Sequence, residues 1–139
     1  MLRQALHRTS RAFSSLDASK LKIERCATPA TPPANDALVG RWGRIFSPHM
    51  LSVDWTASDG WSTPRIQPHE PLQLSPAAMT LHYALQCFEG MKAYRGDDET
   101  IRLFRPDLNA RRMTSSLQRL AMPTFDETAF VELLKRYVE

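Results

Sequence analysis

The chain is poor in cysteine and glycine and has no long apolar segment. Its 139 residues include two cysteines and five glycines. Cys26 and Cys87 are far apart, which excludes a disulfide framework and closely spaced metal-binding thiols and favours two reduced thiols. No apolar run approaches the roughly 20 residues that a membrane-spanning helix needs. The composition, 42% hydrophobic and 24% charged, is typical of a globular protein.

Acidic residues are missing from the first sixteen positions. Residues 1–16 contain Arg3, Arg8 and Arg11 together with serines, and this composition is typical of a mitochondrial transit peptide. The alternative interpretation is a disordered basic tail. The net charge of +3 is local to this segment, because the rest of the chain has equal numbers of acidic and basic residues. A neutral body gives no support for nucleic-acid binding.

Residues 17–40 have the composition of a proline-rich linker. They include Pro29, Pro32 and Pro33 and many small residues. Such a segment buries too little apolar surface to offset the entropy lost on ordering. We therefore expect it to be extended over the surface of a domain that covers residues 41–139.

Turn signals divide the front of this domain into short strands. Residues 46–55, FSPHMLSVDW, alternate partly between apolar and polar residues, as a strand does. The turn sequence ASDG follows and separates Trp55 from Trp61, which predicts a hairpin whose two rings pack together. Ser75 and Pro76 have the residue types of a helix N-cap and first helical position.

The second half contains one hairpin and two helices. The polar sequence GDDE at 96–99 predicts a hairpin turn. Pro106 and Asp107 then begin a helix, and Thr124 with Glu127 forms a capping box for the next one. Apolar residues at helical spacing predict the buried stripe of each helix. The stripes are Met113, Leu117 and Leu120, and then Phe130, Val131, Leu134, Tyr137 and Val138.

These elements predict an α+β domain of two layers. One antiparallel sheet is expected from hairpins near residues 50–55, 90–95 and 101–104. Helices at about 106–120 and 126–138 are expected to cover one face of it.

Residue types alone give few candidates for chemistry. No metal-ligand cluster, phosphate-binding glycine loop or nucleophile–base pair stands at a recognisable spacing, and the histidines are scattered. Lys92 lies in an apolar run, where it is either a nucleophile with a lowered pKa or a side chain that extends its ammonium to water. Arg112 shares a helix face with Ser115 and Ser116. Its guanidinium suits a phosphate or a carboxylate, and the two nearby hydroxyls are expected to be free to donate to a phosphate. The alternative for Arg112 is a solvated helix arginine.

Four segments, in order, resemble one enzyme family. They are FSPHMLSVDW, the GW..PRIQP segment at 60–68, LHYALQCFEGMKAYRG at 81–96, and IRLFRPDLNARRM ending at Met113. Together they resemble the N-terminal part of branched-chain amino-acid aminotransferases, which are pyridoxal-phosphate enzymes of the class IV transaminase fold. The resemblance implies that the chain forms the smaller N-terminal domain of that fold. A related D-amino-acid transaminase fits the 81–96 run less well.

The resemblance also implies roles for four residues. Arg112, just before methionine, matches the arginine that binds the phosphate of pyridoxal 5′-phosphate. Phe88 matches an aromatic wall of the substrate pocket, and Tyr83 matches a tyrosine that reaches the pocket of the other subunit in a homodimer. Trp42 stands where the family commonly has a phenylalanine in the same pocket.

The implied activity is transamination in the mitochondrial matrix. Leu, Ile or Val would give its amino group to 2-oxoglutarate, yielding a branched-chain 2-oxo acid and glutamate. The family takes its Schiff-base lysine from a larger C-terminal domain, and we expect this chain to stop before it. No catalytic residue is therefore assigned, and the chain alone is expected to be inactive. The alternative is a non-catalytic dimerisation module or remnant of the same family.

Overall fold

A computed structural model describes residues 15–31, residue 33 and residues 43–139. The predicted transit peptide lies almost wholly outside the described residues, and so does Trp42. The strands are β1 (Lys22–Ile23), β2 (His49–Ser52), β3 (Trp55–Thr56), β4 (Gly60–Trp61), β5 (Arg65–Pro68), β6 (Ala93–Arg95) and β7 (Ile101–Leu103). The helices are α1 (Met79–Tyr83), α2 (Pro106–Arg119) and α3 (Glu127–Val138), and a short 3-10 turn precedes β1.

Strand β5 is the centre of a three-stranded sheet of order β1-β5-β2. Its Ile66 is buried, and antiparallel β2 places Leu51 opposite that residue. Strand β1 joins the other edge in parallel, with Ile23 opposite Ile66. Since β1 lies within the predicted linker, this part of residues 17–40 is built into the sheet. The boundaries predicted at 16 and 40 stay predictions.

The two predicted hairpins are present. Strands β3 and β4 pair around the ASDG turn with Trp55 opposite Trp61, and β6 pairs with β7 around the GDDE turn. The prediction that these segments form one antiparallel sheet is wrong. The strands of the described residues form three separate sheets, one of them with a parallel pair. Between β5 and β6 the chain forms α1 and then coil at residues 84–92, so no strand connects the hairpins into one layer.

Helix α2 begins at Pro106 with Asp107 in its first turn, as predicted, and it packs against α3. The predicted stripes are only partly right. Leu117 is buried, but Leu120 is 37% exposed because the helix ends at Arg119 and the chain leaves the helical path. The fully buried side chain of α3 is Leu133, which the prediction omitted. It lies against a small apolar cavity lined by Leu16, Leu51, Val53, Trp61, Phe125 and Phe130.

Two predicted helix starts are wrong. Ser75 forms a turn, in which Ala78 N–H donates to its carbonyl oxygen, and α1 begins only at Met79. Helix α3 is capped by Asp126, whose side chain accepts from Ala129 N–H at 2.7 Å, and not by Thr124. Asp126 is the N-cap because it directly precedes Glu127, the first residue of α3.

Both cysteines are free thiols, as predicted. None of the helices in the described part of the chain has the length and apolar character to cross a membrane.

Candidate functional site

The coil at residues 84–92 carries two of the residues that define the site. Helix α1 stops at Tyr83, and Ala84 turns the chain with a left-handed backbone, at φ 49°. The following residues form neither helix nor strand until β6 begins at Ala93. Phe88 and Glu89 lie in the middle of this coil, so side-chain contacts, not backbone pairing, must hold them in place.

Glu89 is bound by two side chains of α2. Arg112 donates from Nε to Glu89 Oε1 at 2.7 Å and from Nη2 to Oε2 at 2.5 Å, forming a two-point ion pair. Asn109 donates from Nδ2 to Glu89 Oε2 at 2.5 Å and to the Gly90 carbonyl at 3.0 Å. Asn109 and Arg112 are three positions apart on α2, a spacing that puts both side chains on the same face. We call Glu89, Asn109 and Arg112 the Glu89 clamp.

The clamp contains an ion pair whose cationic member, Arg112, is exposed. The Glu89 side chain is 15% exposed, whereas that of Arg112 is 63% exposed. The hydrogen bond from Arg112, followed by that from Asn109, lowers the pKa of Glu89. The hydrogen bond to Glu89 raises the pKa of Arg112. Both groups therefore stay charged at neutral pH.

Arg112 retains donors for a ligand. A guanidinium has five N–H donors. Glu89 accepts hydrogen bonds along one edge of this planar group, from Nε and Nη2. The other amino group, Nη1, lies on the side away from the carboxylate. This amino group is of the chemical type that binds phosphate, since guanidinium groups donate charge-assisted hydrogen bonds to phosphate oxygens.

The serines beside Arg112 do not act as predicted. Ser115 Oγ donates to the Arg111 carbonyl and Ser116 Oγ to the Arg112 carbonyl, both at 3.1 Å. Each hydroxyl donates to the carbonyl four residues earlier, which is a common use of serine inside a helix. The expectation of hydroxyls free to donate to a phosphate is therefore wrong in this structure.

The predicted pocket aromatics are exposed. Phe88 is 86% exposed and Tyr83 is 81% exposed, so neither ring is enclosed by the described residues. Phe88 adjoins the clamp through Glu89, while Tyr83 lies at the end of α1. Trp42 lies outside the described residues, so its predicted place in the pocket stays a prediction.

A groove next to the clamp brings Lys92 together with residues that the sequence did not single out. It has a volume of about 530 Å³. Its lining residues are Gly90, Met91, Lys92, Tyr94, Phe104 and Asn109. Lys92 is exposed at its rim, and Asn109 belongs to both groove and clamp. The groove is open to solvent and has aromatic sides, and Asn109 joins it to the clamp.

Glu89 and Asn109 are the site residues that sequence reasoning missed. A signal for each was present. Glu89 is the one carboxylate within the aromatic run 81–96, and Asn109 stands three positions before Arg112. A carboxylate in such a run needs a partner when it is partly buried, and an arginine is the partner that binds both of its oxygens.

Known proteins similar to this chain agree on one family. No protein-family profile matches the chain. The cytosolic branched-chain-amino-acid aminotransferase of Saccharomyces cerevisiae is 46% identical over 127 residues, which are 91% of this chain and 33% of the yeast protein. The branched-chain-amino-acid aminotransferase of Monosiga brevicollis is 50% identical over 127 residues, 91% of this chain and 31% of its own length. The mitochondrial enzyme of Bos taurus is 46% identical over 92% of this chain and 32% of its own length.

These relatives are aminotransferases. The chain belongs to the branched-chain-amino-acid aminotransferase family. It spans about a third of the length of the curated relatives it matches.

Proposed function

We propose that this chain is the N-terminal, class IV part of a pyridoxal-phosphate-dependent branched-chain aminotransferase. In this proposal Arg112 binds the cofactor phosphate. The observation that carries it is the exposed guanidinium of Arg112, which Glu89 holds at two points while Nη1 faces away from the carboxylate. The similarity to aminotransferases over more than nine-tenths of the chain supports the same role.

The residues of this chain would bind and orient rather than react. Pyridoxal phosphate, when bound, supplies the electron-accepting ring that makes transamination possible. Arg112 would fix the phosphate end of the cofactor. Phe88, Tyr83 and Trp42 would form apolar walls that accept Leu, Ile or Val and reject polar side chains, with little discrimination among the three. The return half-reaction would use 2-oxoglutarate.

Assembly and location are part of the proposal. A homodimer is supported by the high exposure of Tyr83, which would then reach the partner's pocket. A mitochondrial matrix location is supported by the composition of residues 1–16. Several relatives are named mitochondrial, although others are named cytosolic. The second candidate is a non-catalytic dimerisation module, which the exposed aromatics also favour.

Replacement of Arg112 tests the proposed cofactor role. The probe is 4-deoxypyridoxine 5′-phosphate, which has the ring and phosphate of the cofactor but no aldehyde to react with lysines. We expect Arg112→Gln to weaken its binding at least about tenfold, the loss of one charge-assisted hydrogen bond. The measurement is the dissociation constant for the 139-residue chain, by NMR titration.

The matched control is Arg119→Gln, which removes the same charge from the last turn of the same helix. It should leave the dissociation constant unchanged. Equal affinities of the wild type and Arg112→Gln would refute the role of Arg112.

A further inference from the structure

We propose that Glu89 and Asn109 are positioning residues, which set the guanidinium of Arg112 in the orientation that binds the cofactor phosphate. The inference rests on the proposed function of Arg112 as the phosphate ligand. It adds two residues that neither the sequence motifs nor the relatives' names assign, and it states how they act. Neither residue touches the cofactor itself in this proposal.

The orientation of Arg112 is determined by the clamp. An exposed arginine has many rotamers, and ordering it for a ligand costs entropy. The two-point contact with Glu89 selects a single plane for the guanidinium, because the Nε and Nη2 donors both point at carboxylate oxygens. Nη1 then points away from Glu89 in a fixed direction. A phosphate that binds there meets a donor that is already ordered.

Asn109 in turn orients the carboxylate. Its Nδ2 group bridges Glu89 Oε2 and the Gly90 carbonyl, at 2.5 Å and 3.0 Å. These two contacts fix both the side chain of Glu89 and the backbone that follows it. Because residues 84–92 form no helix or strand, this bridge and the ion pair hold the coil on α2. Phe88 is adjacent, so the same contacts set its distance from Arg112.

Glu89 also has an opposing effect. Its negative charge repels a phosphate at Arg112. That repulsion is weak where the guanidinium is 63% exposed, because water and salt screen exposed charges. Asn109 carries no charge, so its replacement loosens the clamp without altering the repulsion. A variant of Asn109 therefore reports positioning without a change in this repulsion.

The test compares clamp variants in the binding assay for 4-deoxypyridoxine 5′-phosphate. We expect Asn109→Ala to raise the dissociation constant about tenfold, as one charge-assisted contact to Glu89 is lost. Binding of 4-deoxypyridoxine, which lacks the phosphate, should not change. Glu89→Gln keeps the side-chain length and should act in the same direction. If Asn109→Ala does not fold, Glu89→Gln serves as the test variant.

A spectroscopic signal follows the orientation of Arg112 directly. The Nε–H of Arg112 is hydrogen-bonded to Glu89 Oε1 and should exchange slowly with water. Exchange should accelerate in Asn109→Ala and in Glu89→Gln. The matched control is Asp98→Asn, which breaks another two-point ion pair, that with Arg102, and should alter neither this exchange nor phosphate binding.

The outcomes separate this inference from the proposed function. Tenfold weaker binding in Asn109→Ala, with faster Nε–H exchange, supports positioning. If Arg112→Gln weakens binding while Asn109→Ala and Glu89→Gln leave it unchanged or tighten it, Glu89 is only a tether or a competitor for Arg112. The inference then fails, and the role of Arg112 stands. If Arg112→Gln has no effect, the proposed function fails and the inference fails with it.

Discussion

At the scale of residues, Glu89 is the partly buried carboxylate on which the candidate site depends. Three donor groups from α2 reach its two oxygens, and the side chain is 15% exposed. Removing the partners of a partly buried carboxylate is costly, because its charge has lost part of its hydration. The local conformation of residues 84–92 is therefore tied to the ionisation of one side chain.

This dependence predicts how stability varies with pH. The pKa of Glu89 lies below its ordinary value of 4.5, chiefly through the Arg112 hydrogen bond. A lowered folded-state pKa stabilises the fold fully above that ordinary value, and the stabilisation is lost as pH falls toward the folded-state pKa. We expect the stability difference between wild type and Glu89→Gln to be constant near neutral pH. It should shrink below about pH 4.5, as Glu89 becomes protonated. Urea unfolding at several pH values measures it.

The control for this prediction is Glu132→Gln. Glu132 is in an exposed ion pair with Lys135, at 3.7 Å, and such pairs contribute little. The free energy of unfolding of Glu132→Gln should stay close to that of the wild type at every pH. A difference between wild type and Glu89→Gln that persists unchanged to about pH 3 would contradict the prediction.

At the scale of elements, the helix ends depend on single side chains. Asp126 accepts from Ala129 N–H, whereas Thr124 contributes its backbone carbonyl, which accepts from Trp61 Nε1 at 2.9 Å. The ring of Trp61 also lies edge-on to Phe125, with centroids 6.2 Å apart. The connection before α3 is thus held to the β3–β4 hairpin by its backbone and one aromatic ring.

The two candidate caps of α3 should respond differently to replacement. Asp126→Ala removes the side chain that caps the helix and should lower the free energy of unfolding by about 1 kcal/mol. Thr124→Ala leaves the carbonyl in place and should change it by less than about 0.5 kcal/mol. Chemical denaturation of both variants measures the difference. A larger effect from Thr124→Ala would show that the cap is misassigned.

Local signals in the sequence predicted some of these elements and not others. The turn sequences ASDG and GDDE predicted the two hairpins, because neighbouring residues determine a tight turn and its flanking strands. The arrangement of the strands in sheets could not be read in this way. Pairing of β1 with β5 depends on residues more than forty positions apart, and no short pattern contains that information.

The same distinction between local and long-range information applies to the candidate site. Arg112 was a candidate from its helix position and its residue type, and the resemblance to aminotransferases gave its expected role. The contact that orients it joins α2 to a coil 23 residues earlier. Glu89 and Asn109 were accessible only through that contact, although each carried a local hint.

At the scale of the whole molecule, several large apolar side chains are exposed. Phe88, Tyr83, Phe104 and Leu72 are each more than two-thirds exposed. A pocket for branched aliphatic side chains must exclude water from such surfaces. Within the described residues they are not enclosed, which fits a chain that spans about a third of its relatives' length.

We therefore predict no transamination by the 139-residue chain alone. The four lysines are Lys20, Lys22, Lys92 and Lys135, and none lies in the family's Schiff-base context. The assay measures glutamate formed from leucine and 2-oxoglutarate with added pyridoxal phosphate. The cytosolic branched-chain-amino-acid aminotransferase of Saccharomyces cerevisiae is the positive control. Turnover by the purified chain above the level of free cofactor would refute the prediction.

The parallel strand β1 covers one edge of β5. Lys22 N–H donates to the Pro64 carbonyl at 3.0 Å, and Glu24 N–H donates to the Ile66 carbonyl at 2.8 Å. These bonds occupy the edge of β5 that would otherwise carry unpaired carbonyl groups, and an open strand edge is a template for aggregation. A chain trimmed beyond Glu24 would expose that edge beside the buried Ile66. Strand β1 thus covers one edge of the central strand of the three-stranded sheet.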